Sequence, residues 1–368
     1  MFVILDSTAF WDDPNLKSGA WALLIEYLRR SQSRLFVPAV VVEETEANFA
    51  RRFEKAQGEA RNAVHSLIRL IDGKYDSPQL DKPKQVELYS KRLDAALRGL
   101  GAEKLPYPNV SHEELVKRNS SYQKPFQERG TGYKDALIWY SALELLRAHP
   151  EDTVLVTKNS TDFSESKESP TVIHPDLKQD LNNAGVKSRV NISVGIDAFL
   201  DEYAKPTLKK LDDLRKEFEK GNPIDLKKEL HSRFNEIFEE INQNSTHLLK
   251  LRRFDLRRLE EPIGISSMDE EPIEFHIDDV LEFRDGEVYL EFTGEYEAEM
   301  FGYLPHTESY SLHDESTLYV TDWNWNDHYV QVGANVTLRI SFRAVFDLRE
   351  NEIVDFGIKE VNTDEDAW

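Results

Sequence analysis

The chain has 368 residues, more than one typical domain holds, so its length predicts two or three domains. It contains no cysteine, which excludes disulfides, thiolate zinc sites and cysteine nucleophiles. It has no run of about 18 apolar residues and no basic-then-apolar leader at its N-terminus, so we expect a cytoplasmic protein with no membrane span.

The net charge of −22 is concentrated at the C-terminal end of the chain. The 107 residues from Pro262 onward hold 26 acidic and 5 basic side chains, a balance of −21, which leaves −1 for the first 261 residues. A strongly acidic region repels nucleic acid, whereas the nearly neutral remainder can still present a positive face.

Residues 1–204 alternate short apolar runs with helical patterns. The pattern predicts helices at 21–30 and 43–71 and strands at 2–5, 35–42, 154–156 and 190–194. Continuous apolar runs are typical of strands covered on both faces. We therefore expect a three-layer α/β/α domain with a mostly parallel sheet.

Three further segments complete the predicted architecture. A mainly helical insertion spans about 72–128, a charged helical linker spans 205–261 and an acidic all-β domain spans 262–368. In the β domain, apolar and polar residues alternate with a period of two, which predicts a sandwich or small barrel. Near its end the linker carries a basic strip, residues 250–258, for which we favour pairing with the acidic domain over RNA binding.

Four acidic residues follow strands or open helices, where the topology directs them toward one edge of the sheet. Asp6 ends the first strand, Glu44 follows the second, Asp135 opens a helix and Asp162 lies just past the third strand. Because neighbours within one element point apart, a cluster of carboxylates must come from separate elements. Hard divalent cations such as Mg²⁺ and Mn²⁺ prefer such oxygen ligands, so the four acids predict a metal site.

Each acid also has an ordinary structural interpretation. Asp6, Asp135 and Asp162 could be turn formers or helix caps. Glu44 could be one solvated acid in a charged stretch, and the adjacent Glu43 is its alternative as a ligand. We favour the metal site because four separate coincidences would otherwise be needed, and the register favours Glu44.

The segments around these acids resemble the motifs of PIN-domain nucleases. In chain order they are Val3–Thr8, Val37–Glu44, Gly130–Ile138 and Val154–Phe163. The resemblance covers roughly residues 1–200 and implies a metal-dependent ribonuclease on a Rossmann-like sheet, as in many bacterial toxin–antitoxin nucleases. The last segment departs from the family pattern, because Asn159 stands where many relatives have an acid.

The resemblance also assigns roles to single residues. It implies that Asp6, Glu44 and Asp135 are primary ligands of Mg²⁺ or Mn²⁺ and that Asp162 is an outer ligand, the four together forming the catalytic set. Secondary candidates for contacts with phosphate, metal-bound water or the metal are Ser7, Glu43, Lys134, Thr157 and Asn159. Side chains expected to contact nucleic acid are Lys117, Arg118, Lys124 and Arg129.

Three functions agree with these patterns. The first is a divalent-metal-dependent endoribonuclease, a toxin-like or defence effector regulated by its β domain. The second is a catalytically degenerate scaffold or regulatory interaction protein, which Asn159 and the acidity favour. The third is a structure-specific DNA nuclease that uses the same acids. The expected partners are an RNA substrate and either a protein regulator or a second copy of the chain.

Overall fold

In the computed structural model the chain divides into two units, Met1–Thr207 and Leu208–Trp368. The structure describes residues 1–11, 13–70, 80–127, 130–245, 249–310, 312 and 317–364. Within these ranges, no helix combines the length and the apolar character needed to cross a membrane.

A five-stranded parallel sheet forms the centre of the first unit, with the strand order β3-β2-β1-β4-β5. Its strands are β1 (Phe2–Leu5), β2 (Arg34–Pro38), β3 (Glu103–Leu105), β4 (Thr153–Thr157) and β5 (Val190–Val194). Every residue of β1 and β4 is buried, as expected for apolar strands covered on both faces. The predicted α/β class of this unit is confirmed.

Helices connect the strands of the first unit. They are α1 (Gly19–Ser31), α2 (Ala39–Leu70), α3 (Lys82–Gly99), α4 (His112–Ser120), α5 (Tyr133–Ala148), α6 (Pro175–Asn183) and α7 (Ile196–Phe199). Helix α5 packs against β2, and its Trp139 and Leu146 are buried. Short turns of 3-10 helix follow β1 at Ser7–Phe10 and β4 at Ser160–Asp162.

The structure corrects one sequence prediction in this unit. The strand predicted at 35–42 ends at Pro38, and residues 40–42 belong to α2, where they are buried. A short apolar run does not distinguish a buried strand from the buried start of a helix. The insertion, predicted as mainly helical at about 72–128, contains α3 and α4 and also supplies the edge strand β3; residues 72–79 and 128 lie outside the described ranges.

The second unit contains one seven-stranded, mainly antiparallel sheet, which confirms the all-β prediction but not the alternative of two facing sheets. The path β6-β12-β11-β9-β7 carries β10 beside β11 and β8 beside β9. The strands are β6 (Leu249–Lys250), β7 (Glu260–Met268), β8 (Glu274–Arg284), β9 (Glu287–Pro305), β10 (Leu318–Asp322), β11 (Tyr329–Asp347) and β12 (Glu352–Thr363).

Most of the segment predicted as a linker, 205–261, belongs to the second unit, which begins at Leu208, and its described helices contribute to the core of that unit. Its helices are α8 (Asp212–Glu219), α9 (Leu226–Ser232) and α10 (Phe234–Gln243). Phe218 packs edge-on against Phe346 with 5.3 Å between ring centroids, and Ile241 is fully buried. The linker prediction was wrong because these amphipathic helices bury their apolar faces against the sheet.

The basic strip pairs with acidic groups of its own unit, as favoured from the sequence. Lys250 contacts Glu360, and Arg258 contacts Glu308. Arg253 is 5 % exposed and pairs with Asp255 at 2.8 Å. The strip therefore has a structural role.

Candidate active site

The carboxyl ends of β1 and β4 lie side by side and place Asp6 next to Thr157. The Asp6 carboxylate accepts hydrogen bonds from Thr157 Oγ1 at 2.7 Å, from Thr8 Oγ1 at 3.0 Å and from the backbone N–H of Ser7. Asp6 is 3 % exposed, and burial raises its pKa while these hydrogen bonds act in the opposite direction. Three donors therefore fix the orientation of this carboxylate.

Helix α2 presents Glu44 to the same space. A cavity of about 560 Å³ is lined by Asp6, Glu44 and Asp135, together with residues of the turn before α5. Glu43 is exposed, and its Oε2 accepts a hydrogen bond of 2.6 Å from the Tyr107 hydroxyl. Neighbours in a helix point about 100° apart, so only one of the two glutamates can face Asp6.

Gly132 makes the start of α5 possible and thereby positions Asp135. Gly132 precedes the helix with φ of 101°, and a Cβ at this residue would lie 2.3 Å from the Pro125 carbonyl oxygen. Glycine tolerates the positive φ and the close approach of this carbonyl oxygen, whereas a residue with a Cβ does not. Asp135 follows in the first turn of the helix.

The four predicted acids share one electrostatic environment. The pKa of Asp135 is raised to about 7, first by burial and then by the charges of Asp6 and Asp162, with a smaller effect from Glu44. Like charges raise a carboxyl pKa in this way only when they are close together. Asp6, Glu44 and Asp135 line one cavity, and Asp162 is close enough for its charge to act on Asp135.

Asn159 joins two of these acids. Its side-chain amide donates to Asp135 Oδ1 at 3.3 Å and to the carboxylate of Asp162. Asp162 is 3 % exposed and also accepts a hydrogen bond from the Gln127 amide. Sequence reasoning missed Gln127, because it lies in a loop with no recognisable motif.

Lys134 forms an ion pair with Glu44 across the mouth of the cavity. Its side chain is 49 % exposed, whereas that of Glu44 is 18 % exposed. The ammonium group thus supplies positive charge beside an acidic cluster and remains accessible to solvent.

The residues predicted to contact nucleic acid differ in their exposure and in their hydrogen-bond partners. Lys117 is exposed on α4. Arg118 is buried, and its guanidinium binds Asp180 with N–O distances of 2.7 and 3.1 Å, so its prediction as an RNA contact was wrong. Lys124 donates to the Thr161 carbonyl at 2.8 Å. The remaining candidate, Arg129, lies outside the described residues.

The donors at this site suit a hard divalent cation in their chemistry. The four candidate ligands supply carboxylate oxygens, which Mg²⁺ and Mn²⁺ prefer. Across the described ranges, however, no three His, Cys, Asp or Glu side chains already converge as a formed metal site. Glu44 is engaged by Lys134, and Asp162 by Asn159 and Gln127.

Comparison with known proteins agrees with this geometry. Residues 3–163 match a family model described as PIN domain, and this range includes strands β1 to β4 and all four acids. The match spans less than half of the chain. No curated protein and no solved structure matches. Residues 3–163 are thus similar to the PIN domain family, and the parallel sheet of the first unit is consistent with a PIN fold.

Proposed function

We propose that the first unit is a divalent-metal-dependent endoribonuclease. The observation that carries this proposal is the grouping of acids, in which three carboxylates help to raise the pKa of Asp135 to about 7. Acids gathered at the carboxyl edge of a parallel sheet, in a domain of a nuclease family, favour a cation as their partner.

In this proposal Asp6, Glu44 and Asp135 would hold Mg²⁺ or Mn²⁺, and Asp162 would act from an outer position. A divalent cation supplies, when bound, the charge that activates a water molecule and stabilises the leaving oxygen of a phosphodiester. The chain's own hydroxyl groups hold Asp6 in one orientation. Lys134 can exchange Glu44 for a substrate phosphate, because its ammonium group is half exposed.

The test is cleavage of a labelled single-stranded RNA by the purified chain with Mg²⁺, with Mn²⁺ and with EDTA. We expect cleavage only with the metals and its loss in Asp6→Asn and Asp135→Asn. Glu59→Gln, an exposed acid on α2, is the control and should cleave at the natural rate. Undiminished cleavage by both aspartate variants would overturn the proposal. Cleavage of the DNA oligonucleotide of the same sequence, but not of the RNA, would replace the ribonuclease by a DNA nuclease.

A catalytically degenerate scaffold is the second candidate, and the amide of Asn159 favours it. The amide holds Asp135 and Asp162 by hydrogen bonds, which stabilises the acids without a cation. Titration of the chain with Mn²⁺ in a calorimeter separates the two candidates. If the chain is a scaffold, we expect no heat of Mn²⁺ binding and no RNA cleavage. If it is a nuclease, we expect a heat of Mn²⁺ binding and RNA cleavage.

We also propose that the acidic region from Pro262 onward regulates cleavage. Its charge of −21 from Pro262 onward opposes the approach of RNA to the chain. Replacing the exposed acids Glu270, Glu271 and Glu297 by glutamine should raise the cleavage rate at low salt, with the difference fading at high salt. An unchanged rate at low salt would contradict regulation through charge.

A further inference from the structure

A second cavity lies directly beside the proposed catalytic site. It measures about 580 Å³ and shares Glu44, Tyr133 and Lys134 with the first cavity. A molecule bound at the acids can therefore continue into this second space without leaving the surface. Cavities of this size are typical of sites for small organic groups.

The walls of the second cavity are largely apolar and include two exposed aromatic rings. Tyr107 is 47 % exposed and Tyr133 is 49 % exposed. Pro108, Val110 and Leu137 complete an apolar surface around them. A single exposed tyrosine is ordinary, but two that line one largely apolar cavity give it an accessible aromatic wall.

Both rings are held in place relative to the acids. The Tyr107 hydroxyl donates to Glu43 Oε2 at 2.6 Å, and that hydrogen bond raises the pKa of Tyr107 to about 12, so the hydroxyl keeps its proton. Tyr133 is the first residue of α5, two positions before Asp135. The wall is therefore fixed by the same elements that present Glu44 and Asp135.

The first cavity carries an aromatic residue of its own. Trp11 is 38 % exposed and lines that cavity together with Tyr133. Aromatic surface thus lies on both sides of the Lys134–Glu44 ion pair. A chain of alternating anionic and flat aromatic groups matches this sequence of surfaces, and single-stranded nucleic acid is such a chain.

We propose that Tyr107 and Tyr133 form a base-binding slot, which takes the unpaired base of a nucleotide next to the phosphate at the acids. This inference rests on the proposed function, because the phosphate position is set by the nuclease site. Stacking requires an exposed face of the base, which a duplex does not offer. The slot therefore restricts the substrate to single strands and holds one base in register with the scissile phosphate.

Binding of fluorescent RNA to the full chain in EDTA tests the slot without cleavage. Tyr107→Ala and Tyr133→Ala should each weaken binding of a single-stranded RNA by about tenfold. Tyr133→Phe keeps the ring and should bind within about twofold of the natural chain. Tyr310→Ala, which removes a 77 % exposed tyrosine of the second unit, is the matched control and should have no effect.

A set of RNAs with one abasic nucleotide, moved along the strand, supplies the second arm. At one position the abasic nucleotide should weaken binding to the natural chain. It should not weaken binding to either alanine variant further, because in those variants the ring on which the base would stack is already missing. Unchanged affinity of both alanine variants, or equal losses in Tyr133→Phe and Tyr133→Ala, would overturn the slot. Cleavage by the natural chain with no effect of the alanine variants would refute the slot and leave the nuclease standing. Weakened RNA binding by the alanine variants, with no cleavage by the natural chain, would refute the nuclease and leave the slot standing.

Discussion

The hydroxyl of Thr157, at the end of β4, donates a hydrogen bond of 2.7 Å to the carboxylate of Asp6, at the end of β1. Both residues are buried, at 0 % and 3 % exposure. This bond connects two central strands and orients the most deeply buried of the acids that line the cavity. The bond therefore links the packing of β1 and β4 to the orientation of a proposed metal ligand.

Thr157→Val removes this donor and keeps the shape of the side chain. Because a buried carboxylate loses a hydrogen bond, we expect the free energy of unfolding to fall by about 1–3 kcal/mol. The affinity for Mn²⁺ should fall as well, since Asp6 is no longer held in one orientation. Chemical denaturation and calorimetry measure the two effects.

Thr153→Val, at the other end of β4, is the control: its hydroxyl donates to the Glu151 carbonyl, so Mn²⁺ affinity should stay the same. Equal Mn²⁺ affinities for Thr157→Val and the natural chain would contradict the role given to this bond.

Lys134→Met should have opposite effects on the two ligands of the site. Mn²⁺ should bind more tightly, by about fivefold at most, because Glu44 is released from an ion pair that contributes about 1 kcal/mol or less. RNA binding in EDTA should weaken, because a phosphate loses its cationic partner. Lys55→Met, which removes an exposed lysine of α2, controls for the loss of one positive charge. Weaker binding of Mn²⁺ to Lys134→Met would show that Lys134 does not compete with the cation.

Gly132→Ala should displace the start of α5. The added Cβ would lie 2.3 Å from the Pro125 carbonyl oxygen, and the φ of 101° disfavours any side chain. We expect a loss of about 1–3 kcal/mol in the free energy of unfolding and a loss of RNA cleavage through the shift of Asp135. Gly58→Ala in α2 meets no atom within 4 Å and should stabilise the chain slightly. Natural stability and activity of Gly132→Ala would mean that the turn adapts without moving Asp135.

Glu26 gives the first unit a pH-dependent contribution to stability. It is 2 % exposed, and hydrogen bonds from Arg29 and Arg30 lower its pKa despite burial. A carboxyl whose pKa is lower in the folded chain stabilises it above the unfolded pKa, and that contribution is lost as the pH falls through the folded pKa. Glu26→Gln should therefore lower the free energy of unfolding at pH 7 by about 1 kcal/mol, and the difference should shrink below about pH 4. A difference that stays constant between pH 7 and pH 3 in denaturation curves would contradict this account.

The sequence was most informative where an apolar run and a charged residue occurred together. The run that ends at Asp6 predicted both strand β1 and its terminal acid, because buried parallel strands need continuous apolar residues. Residues 40–42 were placed in a strand, since their valines suit a buried strand and a buried helix start equally. Strand β3 has only one buried residue, so its sequence carries no apolar signal.

Side-chain partners were harder to predict than elements. Arg118 is a basic residue of the kind that contacts RNA, and only the tertiary structure places Asp180 beside it. The pairing of Gln127 with Asp162 depends on how a loop folds back over the site, which no spacing in the sequence records. The choice between Glu43 and Glu44 likewise depends on where α2 begins.

Calorimetric titration of the full chain with Mn²⁺, set beside the same titration of Asp135→Asn, tests most directly whether the grouped acids hold a cation. The account predicts a saturable heat of binding for the natural chain and its loss in Asp135→Asn, the variant that removes the charge at the centre of the group. Glu59→Gln should titrate as the natural chain does. Identical titrations of the natural chain and Asp135→Asn, with or without heat, would contradict the central claim.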